Sequence, residues 1–204
     1  MNELTLIIPA KNEAESLPIV LNELKKYNYK TDIVLHATDI DTIQAIKKYE
    51  INIVYQENFG YGDALIHGIK QCKTKYFCIF NADGSFNPAE ISKIHETLKA
   101  KKLDFIFASR YQASSGSEDD TIITLVGNYI FTYIGKIFFR LNISDILYTF
   151  VIGKTDQANI LDLKQKDFSF CVELPIKAKK MKMELGCINS YERMRIAGKK
   201  KVNA

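Results

Sequence analysis

A chain of 204 residues, 47% hydrophobic and 25% charged, is long enough for one domain with a sizeable core and too apolar to be disordered throughout. Its net charge of +4 hides an asymmetry, because Lys177 to Lys201 carries nine Lys or Arg against two acids. That segment reads as a solvated helix face, with attraction to an anionic membrane surface or to a diphosphate as alternatives, and no nucleic-acid motif accompanies it. No basic stretch followed by a short apolar run opens the chain, and Cys72, Cys78, Cys171 and Cys187 lack paired metal spacing, so a reduced, cytosolic setting is expected. His36, His67 and His95 are too scattered to suggest a zinc site.

In chain order, short apolar β-rich runs predict strands at Leu4 to Ile8, Asp32 to Leu35, Ile51 to Tyr55, Tyr76 to Phe80 and Asp104 to Ala108. Helical patterns alternate with them, which implies a mainly parallel sheet with helices on both faces. Asn12 with Glu15 has capping-box spacing before a helix to about Tyr27, and Asn87-Pro88 with Glu90 supplies a second helix start. Gln112 to Thr121, with its Ser-Ser-Gly-Ser and acidic Glu118-Asp-Asp120, reads as a mobile loop, either a lid or disordered. From Thr121 to Gly135 there is no charge, and Lys136 and Arg140 close the apolar run. A buried helix is expected there, with an interfacial amphipathic helix as the alternative; the run is too short to span easily, since a span wants about 20 apolar residues.

Ligands of open α/β sheets bind beyond the carboxyl ends of the strands. That rule gathers Pro9 to Glu13, His36 to Asp41, Asn58 to Asp63, Asn81 to Ser85 and Ser109 to Tyr111 onto one rim. There the strand Tyr76 to Phe80 delivers an amide (Asn81), a carboxylate (Asp83) and a hydroxyl (Ser85) to one edge. Gly60 and Gly62 open a helix where backbone can approach a ligand closely, and a helix N-terminus favours negative charge.

These residues resemble, in order, the motifs of family 2 glycosyltransferases, in particular those similar to dolichyl-phosphate mannosyltransferase. Leu4-Thr-Leu-Ile-Ile-Pro-Ala-Lys-Asn-Glu13 looks like the family's opening strand and Pro-Ala-Tyr-Asn-Glu, with Lys11 in the aromatic's place. His36 stands where an acid is usual after the second strand. Asn58-Phe-Gly60-Tyr-Gly62-Asp-Ala64 resembles Asn-x-Gly-x-Gly-x-Ala, and Asn81-Ala82-Asp83-Gly-Ser85 resembles the Asp-x-Asp region with its first acid replaced. Phe107-Ala-Ser-Arg110-Tyr111 resembles Gly-Ser-Arg-Tyr, Asp145 falls where the family presents an acid, and Phe170-Cys-Val-Glu173-Leu is similar to Phe-x-x-Glu-Leu. The spacing of Arg195 and Lys201 resembles the closing Arg-x-x-Gly-x-Ser-Lys. Without the resemblance, each motif also has a structural reading: a strand end, a helix cap, a glycine turn, an Asn-x-Asp-Gly turn, an exposed basic tail.

The resemblance implies a GT-A fold, Rossmann-like with a mainly parallel central sheet flanked by helices, in a single domain over 1–204. Residues 1–111 would be the nucleotide-sugar-binding half. The remainder, 112–204, would hold the acceptor half, with the apolar helix 121–140 and the basic C-terminal segment. It implies an inverting transferase moving sugar from a UDP- or GDP-sugar to a polyprenyl phosphate at the cytoplasmic membrane face, with Mg²⁺ or Mn²⁺ held by Asp83. Pro9, Lys11, Glu13, His36, Gly60, Gly62, Asn81, Ala82, Asp83, Ser85, Arg110, Arg195 and Lys201 would bind the nucleotide-sugar, and Asp83, Arg110 and Asp145 would serve catalysis. Two alternatives stay open: a transferase acting on a sugar hydroxyl, for which Asp145 would be the base, and a non-catalytic nucleotide-sugar-binding scaffold.

Overall fold

The computed structural model describes residues 3–119 and 121–197. Five strands form where the apolar runs predict them, with ends shifted by a residue or two: β1 (Leu4–Pro9), β2 (Lys30–Leu35), β3 (Asn52–Tyr55), β4 (Tyr76–Ile79) and β5 (Phe105–Ser109). Helices α1 (Leu17–Leu24), α2 (Ile40–Ile46), α3 (Tyr61–Gln71) and α4 (Glu90–Ala100) connect them. The later chain adds β6 (Gly116–Ser117), α5 (Ile122–Phe139), β7 (Val151–Lys154), α6 (Thr155–Ile160), α7 (Phe170–Lys180), β8 (Leu185–Asn189) and β9 (Tyr191–Glu192).

The main sheet has seven strands in the order β3-β2-β1-β4-β7-β5-β8, and β6 pairs with β9 apart from it. Every pairing in the main sheet is parallel except those of β7, which runs antiparallel to both β4 and β5. Successive strand residues face opposite sides, so both faces of a sheet covered by helices must be apolar. Leu4, Leu6 and Ile8 accordingly join Ile33, Phe80, the α1 residues Leu17 and Leu21 and the α4 residues Ile91 and Ile94 in one core layer. Ile7, Val34, Phe77 and Ile79 join Leu65 of α3 and Phe170 and Leu174 of α7 in the other.

Three expectations need correction. Asn12 does not cap a helix: it sits at φ +52°, its amide donates to Asp39 Oδ2 at 2.7 Å, and α1 starts only at Leu17 with a proline in its first turn. The second helix start is nearer the expectation, since Asn87 Oδ1 accepts from the Ala89 amide one turn ahead of α4. The segment after Tyr111 is no free loop, because Gly116 and Ser117 pair with Tyr191 and Glu192.

The third correction concerns α5, which is not buried in the core. Only Asn128, Thr132 and Gly135 of its 18 residues are buried, while Ile122 is 81% exposed and Phe138 73%. By length and composition it is apolar enough to cross a membrane. Its apolar side chains surround the helix too completely for periodicity to show which face meets the rest of the domain.

Candidate functional site

The rim expected from the strand order exists, and its centre is the turn after β4. Gly84 there takes φ +81°, which glycine tolerates and other residues resist. The turn is held from within: Asn81 Nδ2 donates to Ser85 Oγ at 3.3 Å, and the Ser85 amide donates to Asp83 Oδ1 at 3.0 Å. Ser85 and Ala82 are buried, so Asn81, Ala82 and Ser85 shape this turn, whereas Asp83 keeps Oδ2 for other work.

Residues 193–196 lie across that turn. The Arg193 amide donates to the Ser85 carbonyl and the Ile196 amide to the Asp83 carbonyl, both at 2.8 Å. This places Arg195 Nη2 3.7 Å from Asp83 Oδ2 and 2.8 Å from Asp119 Oδ2. The hydrogen bond to Asp119 outweighs partial burial and raises the Arg195 pKa. Arg195, expected at the donor diphosphate, thus lies beside Asp83; Lys201 lies outside the described residues.

A second charged cluster adjoins the first. Arg110 donates from Nε to Asp145 Oδ2 at 2.8 Å, from Nη2 to Asp145 Oδ1 at 3.0 Å and from Nη1 to Glu192 Oε2 at 3.0 Å. Its guanidinium also lies 4.7 Å from the Tyr148 ring. Burial opposes the charge on Arg110, but the hydrogen bonds and charge of Asp145, with the charge of Glu192, outweigh it and raise its pKa. Asp145 is fully buried and both its oxygens accept, one also from Asn128 Nδ2 at 2.6 Å.

Toward the β3 edge the rim is aromatic. His36, half-buried beyond β2, bonds Thr38 Oγ1 through Nδ1 at 2.7 Å and stacks on Phe59 with centroids 4.1 Å apart. At the end of β1, Pro9 is half-buried, and Lys11 just beyond it is exposed. Glu13 is buried, accepts from Ser16 Oγ, and its amide donates to Thr42 Oγ1 at 2.9 Å.

Gly60 and Gly62 are placed differently from the expectation that a ligand approaches them. A Cβ on Gly60 would fall 2.0 Å from the Lys166 carbonyl oxygen, and one on Gly62 would fall 2.2 Å from that of Gln165. The Asp63 amide donates to the Lys166 carbonyl at 3.0 Å. The first turn of α3 is therefore filled by the chain's own backbone, which is why glycine is needed. Glu173, of the Phe-x-x-Glu-Leu likeness, accepts from the amides of Lys164 and Gln165 and pairs with Lys177, and so anchors this same loop.

Ions such as Mg²⁺ are commonly bound through one or two carboxylates, with substrate phosphates and water completing the shell. Asp83 Oδ2 suits that mode. Among the described residues no three His, Cys, Asp or Glu converge as a metal group, so an ion at Asp83 would need oxygens from a phosphate ligand.

Sequence reasoning missed Asn128, Glu192 and Phe59. A lone amide inside an uncharged apolar run was the available signal for Asn128, because a buried polar group must find a partner. Nothing comparable marked Glu192, whose partner Arg110 lies 82 residues away.

The model of the family described as "Glycosyl transferase family 2" matches residues 5–158. A dolichyl-phosphate N-acetylglucosaminyltransferase of Methanococcus voltae, with UDP-N-acetylglucosamine in its name, is 25% identical, over 89% of this chain and 82% of its own. An uncharacterized protein of Methanocaldococcus jannaschii is 28% identical over 90% of this chain and 79% of its own. Among solved structures, glucosyl-3-phosphoglycerate synthase of Mycobacterium tuberculosis, in complex with Mn²⁺, uridine diphosphate and glucosyl-3-phosphoglycerate, superposes with a TM-score of 0.78. That match covers 97% of this chain and 73% of the other at 10% identity, and so speaks for the GT-A fold alone.

Proposed function

The chain belongs to glycosyl transferase family 2 and is a glycosyltransferase, and from that premise we propose that it moves a sugar from a UDP-sugar to a polyprenyl phosphate at a membrane surface. The observation that carries the proposal is the pairing of Asp83 with Arg195, a carboxylate and a guanidinium side by side at the carboxyl edge of β4. The donor's diphosphate carries negative charge that grows as the sugar leaves. Asp83 would hold Mn²⁺ or Mg²⁺, and the ion, when bound, supplies positive charge to the diphosphate oxygens.

Arg195 adds a fixed positive charge beside the same carboxylate, already oriented before the leaving group departs. Lys11, Glu13 and His36 line the rim over β1 and β2, where ribose and base would extend from Asp83. Neighbouring strands lie about 4.8 Å apart, so the end of β2, two strands away, is about 10 Å from that of β4. That suits the length of a nucleoside diphosphate.

The acceptor reading draws on two further observations. Asp145 spends both oxygens on Arg110 and Asn128, which suits an acceptor that needs no base, and an ionised phosphate is one. The exposed apolar residues of α5, with Lys136 in its last turn and Lys180 Nζ 5.6 Å from the Phe139 ring, suit contact with an anionic lipid surface. A cytoplasmic location, peripheral on the membrane, completes the proposal, and the named Methanococcus relative supports the dolichyl-type acceptor and the uridine donor.

Thermal unfolding with uridine diphosphate tests the donor site. At a hundredfold excess over Kd, binding stabilises by about 2.7 kcal/mol, a rise in Tm of about 5–10 °C for a chain this size. Mn²⁺ should enlarge the rise and Asp83→Ala should remove the metal-dependent part. A Tm indifferent to UDP and GDP, with or without metal, refutes the donor site. Binding without turnover on polyprenyl phosphates or sugar hydroxyls would instead make the protein a nucleotide-sugar-binding scaffold.

A further inference from the structure

Helix α5 is apolar on its outward sides, and its two buried polar residues, Asn128 and Thr132, face the domain. Three hydrogen bonds seat it on one short segment: Asn128 Nδ2 donates to Asp145 Oδ1 at 2.6 Å, the Leu147 amide donates to Asn128 Oδ1 at 3.1 Å, and the Ile146 amide donates to Thr132 Oγ1 at 3.2 Å. Asn128 is 1% exposed and Asp145 0%. Both hydrogen-bonding ends of the Asn128 amide are therefore committed in a place that water does not reach.

The same carboxylate oxygen that receives Asn128 also receives Arg110 Nη2 at 3.0 Å. The other oxygen receives Arg110 Nε at 2.8 Å and the Arg110 backbone amide at 3.1 Å. These bonds fix the plane of the guanidinium and the direction of its remaining N–H groups. Any displacement of α5 that carries Asn128 with it pulls on Asp145 and so on Arg110. No other described side chain of α5 bonds to Asp145.

We propose that Asn128 is a positioning residue for Arg110, and that through the Asn128–Asp145–Arg110 chain the seating of α5 on a lipid surface sets the aim of the substrate-side guanidinium. The second half rests on the reading of α5 as a lipid-contacting helix and of Arg110 as a substrate contact; the first half stands on the hydrogen bonds alone. The lipid surface would then act as more than an anchor, since it would help to hold the site in its working geometry.

The chain has four arginines, so the Nε–H resonances of a ¹⁵N-arginine-labelled sample can be assigned by substitution. Asn128→Leu keeps the volume and removes both side-chain hydrogen bonds. It should move the Arg110 Nε–H resonance and speed its solvent exchange about tenfold or more, with Arg193 and Arg195 unmoved. Asn128→Ser, polar but too short to reach Asp145, gives the same readout in a milder background. Thr132→Val removes one seating bond without touching Asp145 and should leave the Arg110 resonance in place. An Arg110 signal unchanged in both Asn128 variants overturns the positioning role.

Bicelles of phosphatidylcholine and phosphatidylglycerol test the coupling. They should shift the Arg110 resonance in the wild type and not in Asn128→Leu, although both proteins bind the bicelles. Binding without any Arg110 shift in the wild type overturns the coupling. Absence of binding overturns it together with the membrane reading, while the positioning role of Asn128 is decided separately by the resonances in solution. In turnover with UDP-N-acetylglucosamine and farnesyl phosphate, Asn128→Leu should lower kcat about tenfold, equivalent to about 1.4 kcal/mol, with donor KM nearly unchanged. A loss confined to donor KM would count against positioning.

Discussion

His95 sits half-buried on α4 in an edge-on contact with the Tyr76 ring, centroids 4.7 Å apart, and its Nε2 has no hydrogen-bond partner among the described residues. Burial disfavours the imidazolium and Lys99 adds to the effect, so the folded-state pKa lies below 6.5. As pH falls through that value the unfolded chain takes up its proton first, and stability declines until the folded ring is protonated too. The urea midpoint should therefore drop between about pH 7.5 and about pH 5.5 by less in His95→Phe than in the wild type; equal drops would refute the assignment. At this scale the sequence marked Asp83 and Arg110 through their place after apolar strands and their likeness to family motifs, and Arg195 through that likeness alone. It could not reveal which partner each one takes. Asp119 and Asp145 reach their arginines only through the fold.

At the scale of elements, strands were easier to read than faces. Short continuous apolar runs located β1 to β5, because strands covered by helices on both faces need apolar residues on both sides. The uncharged run from Thr121 suggested a buried helix on composition alone, whereas its polar minority, Asn128 and Thr132, is what the domain covers. Gly60 and Gly62 misled for a related reason, since a glycine required by a neighbouring backbone looks the same in sequence as one required by a ligand. If α5 meets lipid, Tyr133→Glu, at a position 63% exposed, should change folding stability by less than about 0.5 kcal/mol. Its flotation with anionic vesicles should nevertheless fall well below that of the wild type, and wild-type flotation should weaken with added salt. Equal flotation of the two proteins would remove α5 from the contact.

For the whole molecule, the expectation of a mainly parallel sheet holds, but the antiparallel β7 between β4 and β5 was not legible. Its run is four residues with a glycine inside, and Gly153 is there because a Cβ would sit 2.5 Å from the Phe105 ring. Pairing over such distance in the chain leaves no local mark. Because β7 and β8 come from the later half, residues 1–111 lack two of the seven strands. A chain cut after Tyr111 would leave β4 and β5 without the strand that joins them, and it should show no cooperative urea transition. The intact chain should unfold in one transition that coincides by circular dichroism and tyrosine fluorescence. Two separated transitions, or a folded 1–111 fragment, would mean that the halves are independent.

The place of β7 also bears on the order in which the protein can be made. When β5 leaves the ribosome, the strand that joins it to β4 does not yet exist, and Val151 follows Ser109 only about 42 residues later, about 2–8 s at ordinary rates of synthesis. During that interval Phe77 and Ile106 flank an open slot in the middle of the sheet. The exposed apolar helix α5 emerges within the same interval, so the nascent chain presents both an unfilled strand position and an uncovered apolar helix before its fold can close.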